Sequence, residues 1–156
     1  MERESRRRRD RSVRGPQPAL LFALGTGHYA LPAAAVAGLA ECGPIHEVPG
    51  APPAVRGLAE WRGNVLTVLD LPWLLGQPAG AAPPCLLRMA PPLVRLALFL
   101  PAAVQMMHLR ARPLEVGEVP ARQAFVGRLE HEGRQFRLID AVLLVRLAET
   151  DARERG

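Results

Sequence analysis

Residues 57–71 read Gly57-Leu58-Ala59-Glu60-Trp61-Arg62-Gly63-Asn64-Val65-Leu66-Thr67-Val68-Leu69-Asp70-Leu71. Leu58 to Trp61 and Val65 to Leu69 are two short apolar runs, and Arg62-Gly63-Asn64 between them is a turn, so the stretch predicts a β-hairpin. Asp70 follows the second strand, where its carboxylate suits the cap of a short helix, Leu71 to Leu75. The same features return one repeat later. Gly57, Gly63, Asp70 and Leu75 are matched by Gly127, Gly133, Asp140 and Val145, each shifted by 70 positions. Leu66, Val68 and Leu69 correspond to Phe136, Leu138 and Ile139, and Leu31-Pro32-Ala33-Ala34 is echoed by Leu100-Pro101-Ala102-Ala103. Several features in one order at nearly one offset imply two related lobes.

The rest of the chain fits two small, twisted β-barrels of short strands with one or two small helices each. Leu20 to Leu24, a turn at Gly25-Thr26-Gly27 and the return strand His28 to Leu31 make a first hairpin. Pro32 then opens a short helix, Ala33 to Leu39, because proline is tolerated in a first helical turn. Ile45 to Val48 reads as a strand before the rigid loop Pro49 to Pro53. The expected organisation is an Arg-rich disordered tail over 1–18, lobe one over about 19–76, a linker over 77–84, lobe two over about 85–148, and a polar C-terminal tail over 149–156. Residues 110–122 read as an exposed loop. Each lobe has few residues and few aromatics, so its own core is marginal. The short apolar helices are expected to join the two cores.

Composition narrows the class. The chain has 156 residues, 49 % hydrophobic and 22 % charged, which is ordinary globular usage and excludes wholesale disorder. Its 16 Pro and 14 Gly punctuate it too often for a helical bundle. All 20 basic residues are Arg. Residues 1–14 hold seven of them against Glu2, Glu4 and Asp10, a net of +4, so the remainder is close to neutral at +1. No apolar run approaches the ~20 residues of a membrane span, and no apolar core follows the Arg-rich start as it would in a signal peptide. The expected location is the cytoplasm. Cys42 and Cys85 stand far apart and read as small buried hydrophobes, not as a disulfide framework or zinc site.

The residues that could carry chemistry do not assemble. His28, His46, His108 and His131 show no helical metal-ligand spacing, and Ser5 and Ser12 both lie in the tail. No phosphate-binding, metalloprotease or nucleophile-elbow motif is present. Asp70 and Asp140 occupy equivalent strand-to-helix junctions, where helix caps outweigh a catalytic carboxylate pair. Gly25-Thr26-Gly27 is able to cradle an anion, but a plain hairpin turn is the simpler reading. The sequence therefore predicts no enzyme, no cofactor and no metal. An alternative function is a small-barrel protein that binds nucleic acid or another anion through Arg6-Arg7-Arg8-Arg9. Its aromatics, however, fall in apolar patterns and leave no stacking platform.

Val48-Pro49-Gly50-Ala51-Pro52-Pro53-Ala54-Val55-Arg56-Gly57, followed by Trp61-Arg62-Gly63-Asn64-Val65 and Leu69-Asp70-Leu71, resembles the CheW family of bacterial chemosensory adaptors. Phe22-Ala23-Leu24 with Tyr29-Ala30-Leu31-Pro32 and Val36 resembles the family's start, and Phe125-Val126-Gly127 with Leu138-Ile139-Asp140 its second lobe. The resemblance covers about residues 19–148. It implies a mainly β fold with short helices, in which two pseudo-symmetric, SH3-like, five-stranded β-barrels share a core. It also implies a non-catalytic scaffold linking chemoreceptor cytoplasmic tips to the regulatory domain of a CheA-type histidine kinase, with other CheW-like domains as further ring partners. Val36, Gly57, Arg62 and Gly63 match positions the family uses toward the receptor, while Asp70, Gly127, Gly133 and Asp140 match structural ones. A guanidinium on a turn suits an acidic helix tip. The plain alternatives are a solvated turn residue for Arg62, a core position for Val36, and backbone geometry that needs glycine's φ freedom for Gly57 and Gly63. The chain departs from the family at Gly38, where an acid is usual, at Leu100-Pro101, at Pro91-Pro92 and at Met106-Met107.

Overall fold

The computed structural model describes residues 15–113 and 124–155. The Arg-rich segment 1–14 and most of the expected 110–122 loop lie outside the described residues. In chain order the strands are β1 (Gln17–Leu24), β2 (Gly27–Pro32), β3 (Val36–Glu41), β4 (Val55–Trp61), β5 (Asn64–Asp70), β6 (Cys85–Met89), β7 (Leu96–Leu100), β8 (Gln105–Leu109), β9 (Arg112–Pro113), β10 (Phe125–His131) and β11 (Arg134–Ile139). A 3-10 turn, Ala33–Ala35, joins β2 to β3. Two helices, α1 (Leu71–Leu74) and α2 (Ala141–Arg155), follow β5 and β11.

The strands form two sheets, ordered β8-β1-β2-β11-β10-β9 and β3-β6-β7-β5-β4. Apart from the two-residue β9, the second order is the first with each strand replaced by its repeat equivalent. The halves of the sequence are nevertheless not the sheets. The β1–β2 hairpin from the first half joins strands of the second half, and β6–β7 joins strands of the first. The junctions are parallel pairs, β2 with β11 (Tyr29 beside Arg137) and β7 with β5 (Leu98 beside Leu69). A division at 77–84 therefore separates repeats but not barrels. Each barrel borrows a hairpin from the other half, because a hairpin forms locally while its outer edge remains open to any strand of matching register.

Alternation along the strands sends one set of side chains into each barrel and the opposite set between the barrels. Ala59, Leu66, Val68, Leu86, Ala97 and Phe99 fill one interior. Ala19, Leu21, Ala30, Leu129 and Phe136 fill the other. The largest cluster lies between them and draws Leu24, Leu31, Leu69, Leu71, Leu87, Leu98, Leu100, Ile139 and Leu144 from both repeats. The expectation that helices seal this joint holds for Leu71 of α1 and Leu144 of α2, both buried in it.

Several local expectations are corrected. The helix expected over Ala33 to Leu39 is only the three-residue 3-10 turn, and Val36 onward is strand. Pairing with β6 gives this segment more hydrogen bonds than one isolated turn of alanine helix. The strand expected over Ile45 to Val48 reduces to one bridge, His46 with Leu58. Within the expected 110–122 loop, Arg112–Pro113 pairs with β10. The helix after Asp140 is long, not short, and it continues through residues 149–155, read from sequence as a polar tail.

Candidate functional site

The β4–β5 hairpin closes with Trp61 opposite Asn64, leaving a two-residue turn, Arg62–Gly63. Both turn residues are left-handed, with φ of 46° and 79°. That is the type I′ geometry whose twist matches the strands it joins. An arginine in this conformation costs about 1 kcal/mol, and the turn holds its side chain outward at the end of the barrel. Arg62 and Gly63 are thus together at an exposed tip.

Two guanidiniums flank the indole of Trp61. Arg62 lies 4.7 Å from the ring centroid and Arg88, from β6, lies 3.4 Å away. Arg88 reaches the ring across β3, where it pairs with Gly38; any Cβ at residue 38 would run into its guanidinium. Its Nε is buried without a hydrogen-bond partner. A cleft of about 480 Å³ opens beside this stack, lined by Trp61, Val65, Val94, Arg88 and Arg95. Val65 and Val94 are 61 % and 56 % exposed. The surface can accept an apolar side chain and an acidic neighbour at once. The sequence carries no signal for Arg88, because one arginine in an apolar strand stands out only once its pairing with Gly38 and its stack on Trp61 are in place.

The other two residues expected in the receptor surface sit elsewhere. Val36 is half-buried at the start of β3 and packs on the central core. Gly57 is buried within β4 at a bulge, with φ of 146°. A Cβ there would collide with the carbonyl oxygen of His46, whose backbone exchanges two hydrogen bonds with Leu58 (2.8 and 2.9 Å). Gly127 plays the matching part at the β10 bulge, where a Cβ would lie 2.8 Å from the Arg112 carbonyl oxygen. Gly133 and Glu132 repeat the left-handed turn, with φ of 75° and 51°.

The two aspartates cap helices. Asp70 Oδ1 accepts from the Trp73 backbone N–H at 3.0 Å, and Asp140 Oδ1 from that of Leu143 at 3.0 Å. Their own N–H groups donate to the carbonyls of Ala54 and Ala124, both at 2.8 Å. Asp70 also pairs with Arg56 at 3.1 Å, and that guanidinium lies 3.8 Å over the Phe99 ring. Cys42 and Cys85 are free, half-buried and close enough to sense each other. Burial pushes both thiols above their ordinary value. Arg56 opposes this at Cys42; at Cys85 a backbone hydrogen bond opposes it and Cys42 adds to it. Neither is an activated nucleophile. Among the described residues no three His, Cys, Asp or Glu side chains converge as metal ligands, and no helix is long and apolar enough to cross a membrane.

A CheW-like domain model matches residues 18–149. The scaffolding protein TtCheW from Thermoanaerobacter tengcongensis superposes with a TM-score of 0.71 at 17 % identity, over 83 % of this chain and 87 % of that one, a likeness of fold. No curated protein sequence matches the chain significantly. With the family model spanning both repeats and the same fold found in a solved CheW, the chain belongs to the CheW-like domain family.

Proposed function

We propose that this protein is a non-catalytic cytoplasmic adaptor coupling chemoreceptor tips to the regulatory domain of a CheA-type histidine kinase. Family membership supports the class of function. The observation that carries the site is the outward-held Arg62, stacked on Trp61 beside a mixed apolar and cationic cleft that contains Val65, Val94, Arg88 and Arg95. An acidic, partly apolar helix tip fits such a surface: its carboxylates take the guanidinium donors while its apolar side chains cover Val65 and Val94. Arg62 and Gly63 form the exposed part of the receptor surface; Val36 and Gly57 support it from the core and the β4 bulge. The barrel ends other than the Arg62 tip are left for the kinase domain and for other CheW-like domains.

A pull-down with purified kinase regulatory domain and receptor signalling tip tests this reading. Wild type is expected to retain both, and Arg62→Ala to weaken receptor retention about tenfold, as loss of one charge-assisted contact would, while leaving kinase binding intact. Failure of wild type to retain either partner overturns the adaptor reading. Loss of kinase and receptor together in Arg62→Ala overturns the assignment of the turn to the receptor.

A further inference from the structure

Trp61 and Arg88 stand on strands that no ladder joins among the described residues. The sheet β3-β6-β7-β5-β4 has β4 at one edge and β3 at the other, with β6 next to β3. Arg88 leaves β6 beside Gly38, its partner in β3. Its guanidinium passes over Gly38 and comes to 3.4 Å from the centroid of the Trp61 ring. One side chain thus spans the seam between the edge strands and ends on the residue before the Arg62–Gly63 turn.

This crossing needs residue 38 to have no side chain. A Cβ there would collide with Nη2 of Arg88, the flexible end of a long side chain, and not with backbone. The other repeat fills the same place differently. At the offset that takes Leu31 to Leu100, 69 positions, the pair Gly38–Arg88 becomes Met107–Ala19, again direct partners across two strands. There the large side chain comes from the edge strand β8 and packs into the barrel with Ala19. An uncharged side chain therefore suffices to fill that place, and what Arg88 adds is reach. Its Nε is buried with no hydrogen-bond partner, and its head group rests on the Trp61 ring. A cation stacked this closely restricts both partners. Arg88 holds the indole, and the indole is the platform on which Arg62 lies 4.7 Å from the centroid.

We propose that Arg88 is a positioning residue: it crosses the seam over Gly38 to hold Trp61, and through Trp61 it sets the direction in which Arg62 meets a partner. What concerns the partner rests on the adaptor reading; what concerns Arg62 does not. NMR of the full chain tests it, following the Trp61 indole N–H and the δ-methylene signals of Arg62 and Arg88. Wild type is compared with Gly38→Ala, which displaces the guanidinium without removing a charge, and with Arg88→Met, which removes it. The backbone amide spectrum reports whether each variant is folded. In Gly38→Ala the Arg88 signals should move toward unstacked values, and in both variants the Trp61 and Arg62 signals should shift. Unchanged Trp61 and Arg62 signals in either folded variant overturn the proposal. Receptor-tip retention should fall about threefold in each variant, with no further fall when Arg88→Met is added to Arg62→Ala. Losses that add would mean that Arg88 touches the partner itself, and they overturn the positioning role. If wild type retains no receptor tip, the adaptor reading fails and the NMR comparison alone decides the role of Arg88.

Discussion

The β4–β5 hairpin turns through Arg62–Gly63 with φ of 46° and 79°; the β10–β11 hairpin turns through Glu132–Gly133 with 51° and 75°. Their registers coincide residue for residue over the ladder, and β4 and β10 bury the same positions in the same order. Each has a bulge glycine facing a foreign carbonyl and ends at an aspartate that caps a helix. The exposed side chains differ. Arg62 at one tip is Glu132 at the other, Trp61 is His131, and the pair Leu58–Thr67 is Arg128–Arg137. Where backbone geometry sets the demand, the two repeats agree. Where they diverge, the divergence lies on surfaces, one part apolar and part cationic beside a barrel tip, the other a half-open pocket edged by Arg128 and Arg137.

The largest effect should come from the region the two barrels share. Leu98 is fully buried in the central cluster, beside Leu69 and Leu87. Leu98→Ala should cost about 3 kcal/mol. Because each barrel holds a hairpin from the other half, the loss should appear as one shifted transition. Tryptophan fluorescence reports Trp61 and Trp73 of the first half alone, whereas far-UV circular dichroism reports both sheets. Coincident denaturation curves from the two probes are expected; curves that separate would mean that the barrels unfold independently.

A second test compares the bulge glycines. Gly57→Ala must place a Cβ at φ 146° and against the His46 carbonyl, so a loss of about 2–3 kcal/mol is expected. At Gly127 φ lies outside the left-handed region and the approach to the Arg112 carbonyl is 2.8 Å, so Gly127→Ala should cost about 1 kcal/mol. Urea denaturation of the two variants measures both. Equal losses would show that neither the positive φ nor the closer carbonyl at Gly57 adds to the cost.

How far the sequence reveals the molecule follows the range of the forces involved. The turns at Arg62–Gly63 and Gly25-Thr26-Gly27 and the caps at Asp70 and Asp140 are legible because each is settled by residues within one turn. The repeat is legible for the same reason, since it recurs in those local signals. The exchange of hairpins between halves is not, because β2 meets β11 and β7 meets β5 through pairings that no neighbouring residue dictates. Val36–Glu41 looks helical after an alanine run until the edge of β6 is there to receive it. Residues 149–155 look like a tail because the exposed face of a helix is as polar as a disordered end. At the candidate site, Arg62 is readable from its turn, whereas Arg88 becomes visible only when β6 places it over Gly38 and Trp61. The Gly25-Thr26-Gly27 turn is readable as a hairpin from its own residues, whereas its neighbours Arg128 and Arg137 come from strands about 100 residues away in sequence.

The caps give a smaller contrast. Asp70→Ala and Asp140→Ala each remove an N-cap, worth about 1 kcal/mol. Asp70 also pairs with Arg56, at a site partly open to solvent, which adds a few tenths of a kcal/mol at about the surface-pair level. Asp70→Ala should therefore be slightly the more destabilising in thermal melts, and Arg56→Ala should remove the difference. If the two stay unequal in an Arg56→Ala background, the extra cost belongs to α1 and not to the ion pair.

The finest contrast lies at the tips, where one substitution can be made twice. Asparagine tolerates the left-handed conformation better than arginine or glutamate does, so Arg62→Asn and Glu132→Asn should both leave stability unchanged or raise it by about 0.5 kcal/mol. Their effects on partners should then part. On the adaptor reading, Arg62→Asn removes the guanidinium held over Trp61 and weakens receptor retention, whereas Glu132→Asn, at the equivalent tip of the other barrel, leaves it unchanged. Because both variants keep the same turn, a difference in binding cannot come from altered backbone. If both reduce retention alike, the receptor reads the shared shape of the tips; if neither does, the chemistry of the Arg62 turn is not what the receptor sees.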